Sequence, residues 1–161
     1  MPGPAPSSEN SAPIIETWRR LAGLKRLCFE ATPGPGSGTG WRGHGEARIE
    51  AVSEADGIRL HEHGRFVPAG HGRAVAFRNV YHWQRTDDRL SLAHERFGRE
   101  RPVPLFELAP AASGVLACCH AHHCGADRYR ARLELMDNGF DLIWHIAGPS
   151  KDEHLRYRYR G

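Results

Sequence analysis

Residues 114–151 read GVLACCHAHHCGADRYRARLELMDNGFDLIWHIAGPSK, and their pattern decides the fold. Tyr129, Ala131, Leu133 and Leu135 alternate with Arg128, Arg130, Arg132 and Glu134, the period of two expected of a strand with one buried face. The apolar run Phe140–Ala147 follows Asn138-Gly139, a pair suited to the two adjacent positive-φ positions of a type I′ hairpin. That turn predicts Leu135 opposite Leu142, Leu133 opposite Trp144, Ala131 opposite Ile146 and Tyr129 opposite Gly148. Upstream, Gly125-Ala126 fits a type II′ turn, setting His122 opposite Tyr129 and Cys124 opposite Asp127 on the inward face. Three antiparallel strands result, with His122, Cys124, Asp127, Tyr129 and the Gly148–Asp152 turn gathered at one end.

Outward from this stretch, seven more strands are expected. They are Leu24–Ala31, Trp41–Val52, Ile58–Val67, Ala74–Gln84, Leu90–Phe97, Val103–Leu108 and, at the far end, Glu153–Arg160. TPGPGSGTG, Asp56-Gly57, Pro68-Ala69-Gly70, Asp87-Asp88 and Pro110 separate them as breakers. With Gly114–Cys124, Asp127–Met136 and Phe140–Ala147 the count is about ten. An even count lets the first and last strands pair antiparallel, so an up-and-down β-barrel is expected rather than an open sheet. Ile14, Trp18 and Leu21 recur at helical spacing, Gly23 stops the run, and Pro13 is tolerated in the first turn. This short helix is expected to plug the end that carries the tight turns, leaving the end with the long Thr32–Gly40 and Pro68–Gly72 loops as a mouth. Residues 1–12 are expected to form a disordered tail, and residues 13–161 a single barrel domain.

Composition narrows the partners. Twenty-two basic against nineteen acidic residues leave a net charge of +3, too little to neutralise many phosphates, and Arg alternates with apolar residues as on a solvated strand face. Nucleic acid is therefore not expected as a partner. No apolar run approaches the length of a membrane span. Three of the four cysteines lie within Cys118–Cys124, which is no disulfide framework, and the Pro/Ser-rich start lacks the apolar segment of a signal peptide. A reducing, cytoplasmic setting is expected.

Two spaced motifs stand out: His122-x-Cys124-x-x-Asp127-x-Tyr129 and Trp144-x-x-x-Gly148-Pro149-x-Lys151-Asp152. With Leu21-Ala22-Gly23 and Tyr81-x-Trp83, they resemble an uncharacterised, mostly bacterial family known only as a domain of unknown function, over roughly Trp18 to Arg160. That resemblance implies a lipocalin-like (calycin) barrel holding something small, with no established activity. Trp41-x-Gly43-x-Gly45 also resembles a strand of the haem-binding nitrobindin barrels, with Thr39 where that family has Gly.

The leading expectation is a binding protein for a small, largely apolar or aromatic ligand. Trp41, Trp83, Trp144, Tyr81, Tyr157, Phe77 and Phe140 fall on inward phases, and a ten-stranded barrel is wider than the eight-stranded kind that side chains just fill. His94, His122, Cys124, Asp127, Tyr129, Trp144 and Lys151 would contact the ligand. Aromatics also fill barrel cores without any ligand, and an Asp127–Lys151 pair would pin the rim turn to its neighbour. Two alternatives stand beside this, a haem- or metal-binding barrel and an enzyme. A haem would need an inward axial His, with His122 first, then His94 and His82. A metal would use His120, His122 and Cys124, although residues two apart on one strand lie ~6.5–7 Å apart and cannot all reach one ion without help from elsewhere. A cofactor-independent isomerase or hydrolase would use His122 as base and Tyr129 as acid.

Overall fold

The computed structural model describes residues 8–70 and 72–161, with side chains described from Ala12 onward. One helix, α1 (Ser8–Leu21), precedes β1 (Arg26–Pro33), β2 (Gly43–Glu54), β3 (Gly57–Pro68), β4 (Val75–Arg85), β5 (Leu90–His94), β6 (Val103–Ala112) and β7 (Val115–Cys118). Then follow β8 (His122–Cys124), β9 (Asp127–Met136), β10 (Gly139–Ala147) and β11 (Asp152–Arg160). Strands β1 to β7 pair in sequence, β7 pairs with β9, β9 with β10, β10 with β11, and β11 returns to β1. The result is a closed antiparallel barrel of ten strands, as the parity of the count implies, with short β8 added alongside β9. Closure pairs β4 with both neighbours at the tight-turn end, while residues 75–79 of β4, toward the other end, pair with β3 alone. The expected seventh strand is interrupted: Cys119-His120-Ala121 leaves the ladder between β7 and β8.

The two hairpins at the centre of the sequence reading come out differently. At β8–β9, His122 faces Tyr129 and Cys124 faces Asp127, as the Gly125 turn requires, and Gly125 has φ 63°. At β9–β10 the register is two residues away from expectation: Leu133 faces Leu142, Ala131 faces Trp144, and Tyr129 faces Ile146. Met136 pairs with Gly139, so the loop is Asp137-Asn138 rather than Asn138-Gly139. Among the described residues no non-glycine has positive φ, so Asn138 does not enter the left-handed region a type I′ turn demands. Gly139 alone carries the unusual backbone, at φ 142°. Because the slip is an even number of residues, every side chain keeps its face.

The inward positions form one core that includes Leu27, Leu60, Trp83, Leu108, Leu133, Phe140 and Leu142. Trp41 departs from expectation: it precedes β2, is exposed, and lays its ring against Phe66 at the margin of the core. Helix α1 closes the tight-turn end, with Ile14, Thr17 and Leu21 buried. The Thr17 hydroxyl donates to the Pro13 carbonyl, 2.7 Å. Arg20 donates to the carbonyls of Met136 and Gly139 at the end of the β9–β10 hairpin, and the Arg85 guanidinium lies over the Trp18 ring. An isolated helix of this length is marginal in water, so these contacts hold it: burying Ile14 and Leu21 contributes roughly 1.5–3 kcal/mol each. No helix among the described residues is long and apolar enough to cross a membrane. Residues 1–7, most of the expected tail, lie outside the described residues.

Candidate functional site at the barrel mouth

The residues singled out from the two motifs meet at the end opposite the helix. The His122 and Tyr129 rings meet edge to face, 6.0 Å between centroids. The Lys151 ammonium is 3.1 Å from the Asp127 carboxylate, which holds its pKa above the ordinary value, with Tyr129 adding to the effect. Gly148 makes this approach possible, because a Cβ there would fall 2.0 Å from Asp127 Oδ1. Asp127 lies beside Gly148, not Ser150, as the two-residue slip requires. Cys124 is exposed at the rim, Cys118 packs half-buried against the core, and His120 is exposed outside any strand. His94 stacks on Tyr81, 4.7 Å between ring centroids, and burial lowers its pKa. His82 is buried on the outer side of β4, between the inward Tyr81 and Trp83, with a ring nitrogen 3.0 Å from the Asp56 carbonyl. It therefore does not face the interior as an axial ligand must.

Below the rim the interior is more polar than aromatics alone would make it. Glu62, opposite Ile49 and Asn79, is 1% exposed and accepts a 3.0 Å hydrogen bond from the Tyr159 hydroxyl. Burial pushes its carboxyl up to about 7, with the bonds from Tyr159 and Asn79 working against the rise. Burial likewise raises Tyr81, Tyr157 and Tyr159, so these phenols stay protonated donors. Around them Phe29 stacks with Phe66 and Tyr157 and meets Phe77 edge on. Trp144 packs against Phe106 and Tyr157.

Two buried atoms in this wall have no hydrogen-bond partner among the described residues: Trp144 Nε1, a donor, and Glu153 Oε2, an acceptor. They are diagonal neighbours on one inward patch, since Trp144 pairs with Leu155 and Ile146 with Glu153. The other Glu153 oxygen is taken. Ser37 and Thr39 hydroxyls both donate to Oε1, each at 2.6 Å. The same loop is stitched to the β10–β11 turn by Gly34 N–H to the Asp152 carbonyl and Gly38 N–H to the Ser150 carbonyl. The Gly-rich loop between β1 and β2 is thus a strap across part of the mouth, with Glu153 beneath it.

Glu62, Asn79 and Glu153 lie outside the two motifs, although strand phase marks both carboxylates as inward. Counting by two from Ile58 and Leu60 puts Glu62 inward, and counting back from Tyr157 and Leu155 does the same for Glu153. Metal-ligating groups are gathered elsewhere. Among the described residues, the ligating atoms that lie within 4.8 Å of one another are those of His145, Asp152 and His154, not those of His120, His122 and Cys124.

No curated protein matches the chain, and no solved structure does. The profile of one family covers residues 34–161, from the strap loop to the last strand, and so takes in both motifs. The chain belongs to that family, a family of unknown function (DUF6314).

Proposed function

We propose that the barrel binds a small, largely aromatic molecule in the half nearest its mouth, through an acceptor that takes the Trp144 Nε1–H and a donor that serves Glu153 Oε2. The observation that carries this is the pair of unpartnered buried atoms on adjoining inward positions. Leaving such groups unmade costs about 1–3 kcal/mol each, so a fold that keeps both gains from a guest that satisfies them. The aromatic wall of Phe29, Phe77, Phe106 and Tyr157 supplies flat apolar contact. His94, His122, Cys124, Tyr129 and the Asp127–Lys151 pair frame the entrance. Exposed Trp41 before β2, Val75 at the start of β4 and Phe97 after β5 lie on the same side, giving an apolar approach.

Naphthol, whose hydroxyl both accepts and donates, tests this against naphthalene, which does neither. Fluorescence titration is expected to show saturable one-to-one binding of naphthol, about tenfold tighter than naphthalene, the difference one good hydrogen bond makes. Trp144→Phe should reduce that preference, since Glu153 Oε2 keeps its bond, while leaving the weaker apolar binding. Equal affinities for the two in the parent chain, or no saturable binding, would contradict the proposal and assign the two atoms to trapped water.

A further inference from the structure

We propose that His145, Asp152 and His154 form a binding site for a divalent first-row transition metal, on the outer face of the β10–β11 hairpin. His145 and His154 are directly paired across the two strands, and their rings stack with centroids 4.4 Å apart and planes 11° from parallel. Asp152 Oδ1 stands 2.8 Å from His145 Nε2 and 3.3 Å from His154 Nε2. Two nitrogens and a carboxylate oxygen at metal bonds of about 2.0–2.2 Å lie roughly 2.9–3.4 Å from one another in tetrahedral or octahedral arrangement. The two separations are therefore already near those a bound ion imposes. The ring planes are nearly parallel, so one imidazole has to turn about χ2, a soft torsion, for both in-plane lone pairs to face one ion.

The carboxylate is held in place from behind. Gly36 N–H donates to Asp152 Oδ2, 3.1 Å, and a Cβ on Gly34 would fall on the same oxygen at 2.3 Å. The strap loop thus comes against the carboxylate with glycines where a side chain would displace it, and one of its N–H groups occupies the oxygen that does not face the histidines. An outer partner of this kind orients a ligating carboxylate. The imidazoles are about half exposed, which leaves coordination positions open to water. Two imidazoles with one carboxylate suit Zn²⁺, Ni²⁺ or Cu²⁺ and not Mg²⁺ or Ca²⁺, which favour oxygen. Arg130 faces His145 from β9, and Thr32 faces His154 from β1. Arg130 is the one cation directly across from the cluster, is exposed, and is screened by water.

The test is calorimetric titration of the full chain with ZnCl₂ at neutral pH, with Cu²⁺ electron paramagnetic resonance alongside. One site per chain is expected, with two nitrogen couplings on the copper. His154→Ala and Asp152→Asn should each weaken Zn²⁺ at least tenfold, whereas His44→Ala, an exposed histidine on β2, should leave it unchanged. Asp152→Asn keeps an acceptor for Gly36, so retained circular dichroism separates lost binding from lost fold. Absence of saturable Zn²⁺ binding, or binding that survives His154→Ala and falls with Cys124→Ser, would overturn the proposal. Neither result bears on the barrel interior.

Discussion

The Tyr159 hydroxyl reaches across the barrel to the Glu62 carboxylate, 3.0 Å away, joining the last strand to β3. Glu62 is buried and its carboxyl is pushed up from 4.5 to about 7. The folded chain therefore keeps a proton that the unfolded chain has released by neutral pH. The stability this contributes is complete below the unfolded pKa of 4.5 and is lost as pH rises through about 7. The shift is worth on the order of 3 kcal/mol. Glu62→Gln should remove this slope: denaturant titrations would find the variant more stable than the parent at about pH 8 and level with it near pH 4.

Gly139 takes φ 142° while Asn138 keeps negative φ, and a Cβ on Gly139 would fall 2.0 Å from the Tyr159 carbonyl oxygen. Gly139→Ala should cost roughly 1–3 kcal/mol from backbone strain alone, and more once the β11 backbone is displaced. Asn138→Ala should cost less than about 1 kcal/mol, since the side chain makes one exposed bond to Gly161. A type I′ turn would need positive φ at Asn138 as well and so raise the cost of Asn138→Ala to about 1 kcal/mol or more, so the urea midpoint of that variant decides the register.

Arg59 is buried on the outer side of β3 and engages Glu95, Glu54 and Asp56 through all three guanidinium nitrogens. Glu95 is buried with it. Removing one partner leaves the other as an uncompensated charge, so Arg59→Ala should cost about 3–5 kcal/mol in chemical denaturation. Arg99→Ala, which touches only the exposed side of Glu54, should change stability by less than about 1 kcal/mol.

The Asp127–Lys151 pair lies at a solvated rim, so Lys151→Met should cost no more than about 1 kcal/mol. Gly148→Ala pushes the Asp127 carboxylate off the same contact. The two changes should be non-additive in a double-mutant cycle, because each removes one shared interaction.

Closure and facing were legible in the sequence because both rest on parity. An even strand count brings the ends together, and a two-residue slip leaves Leu133, Trp144 and Tyr129 on the faces assigned to them. The β8–β9 register was legible because only Gly125 in that turn can take positive φ without cost. Asn138 and Gly139 both tolerate it, so composition alone does not choose between two hairpin loops. His145 and His154 escaped notice because their pairing depends on the register across the Gly148–Lys151 turn, which has no dictated geometry. Glu62 and Glu153 were passed over because a carboxylate on a strand is ordinarily taken as outward, and only the phase of its neighbours says otherwise.

Native mass spectrometry of the chain as purified tests the central claim most directly. The folded species is expected to be heavier than the denatured chain by one small organic molecule, released intact on unfolding and held less by Trp144→Phe and Glu153→Gln. Identical masses before and after unfolding, together with a naphthol titration that never saturates, would show that the barrel interior binds nothing.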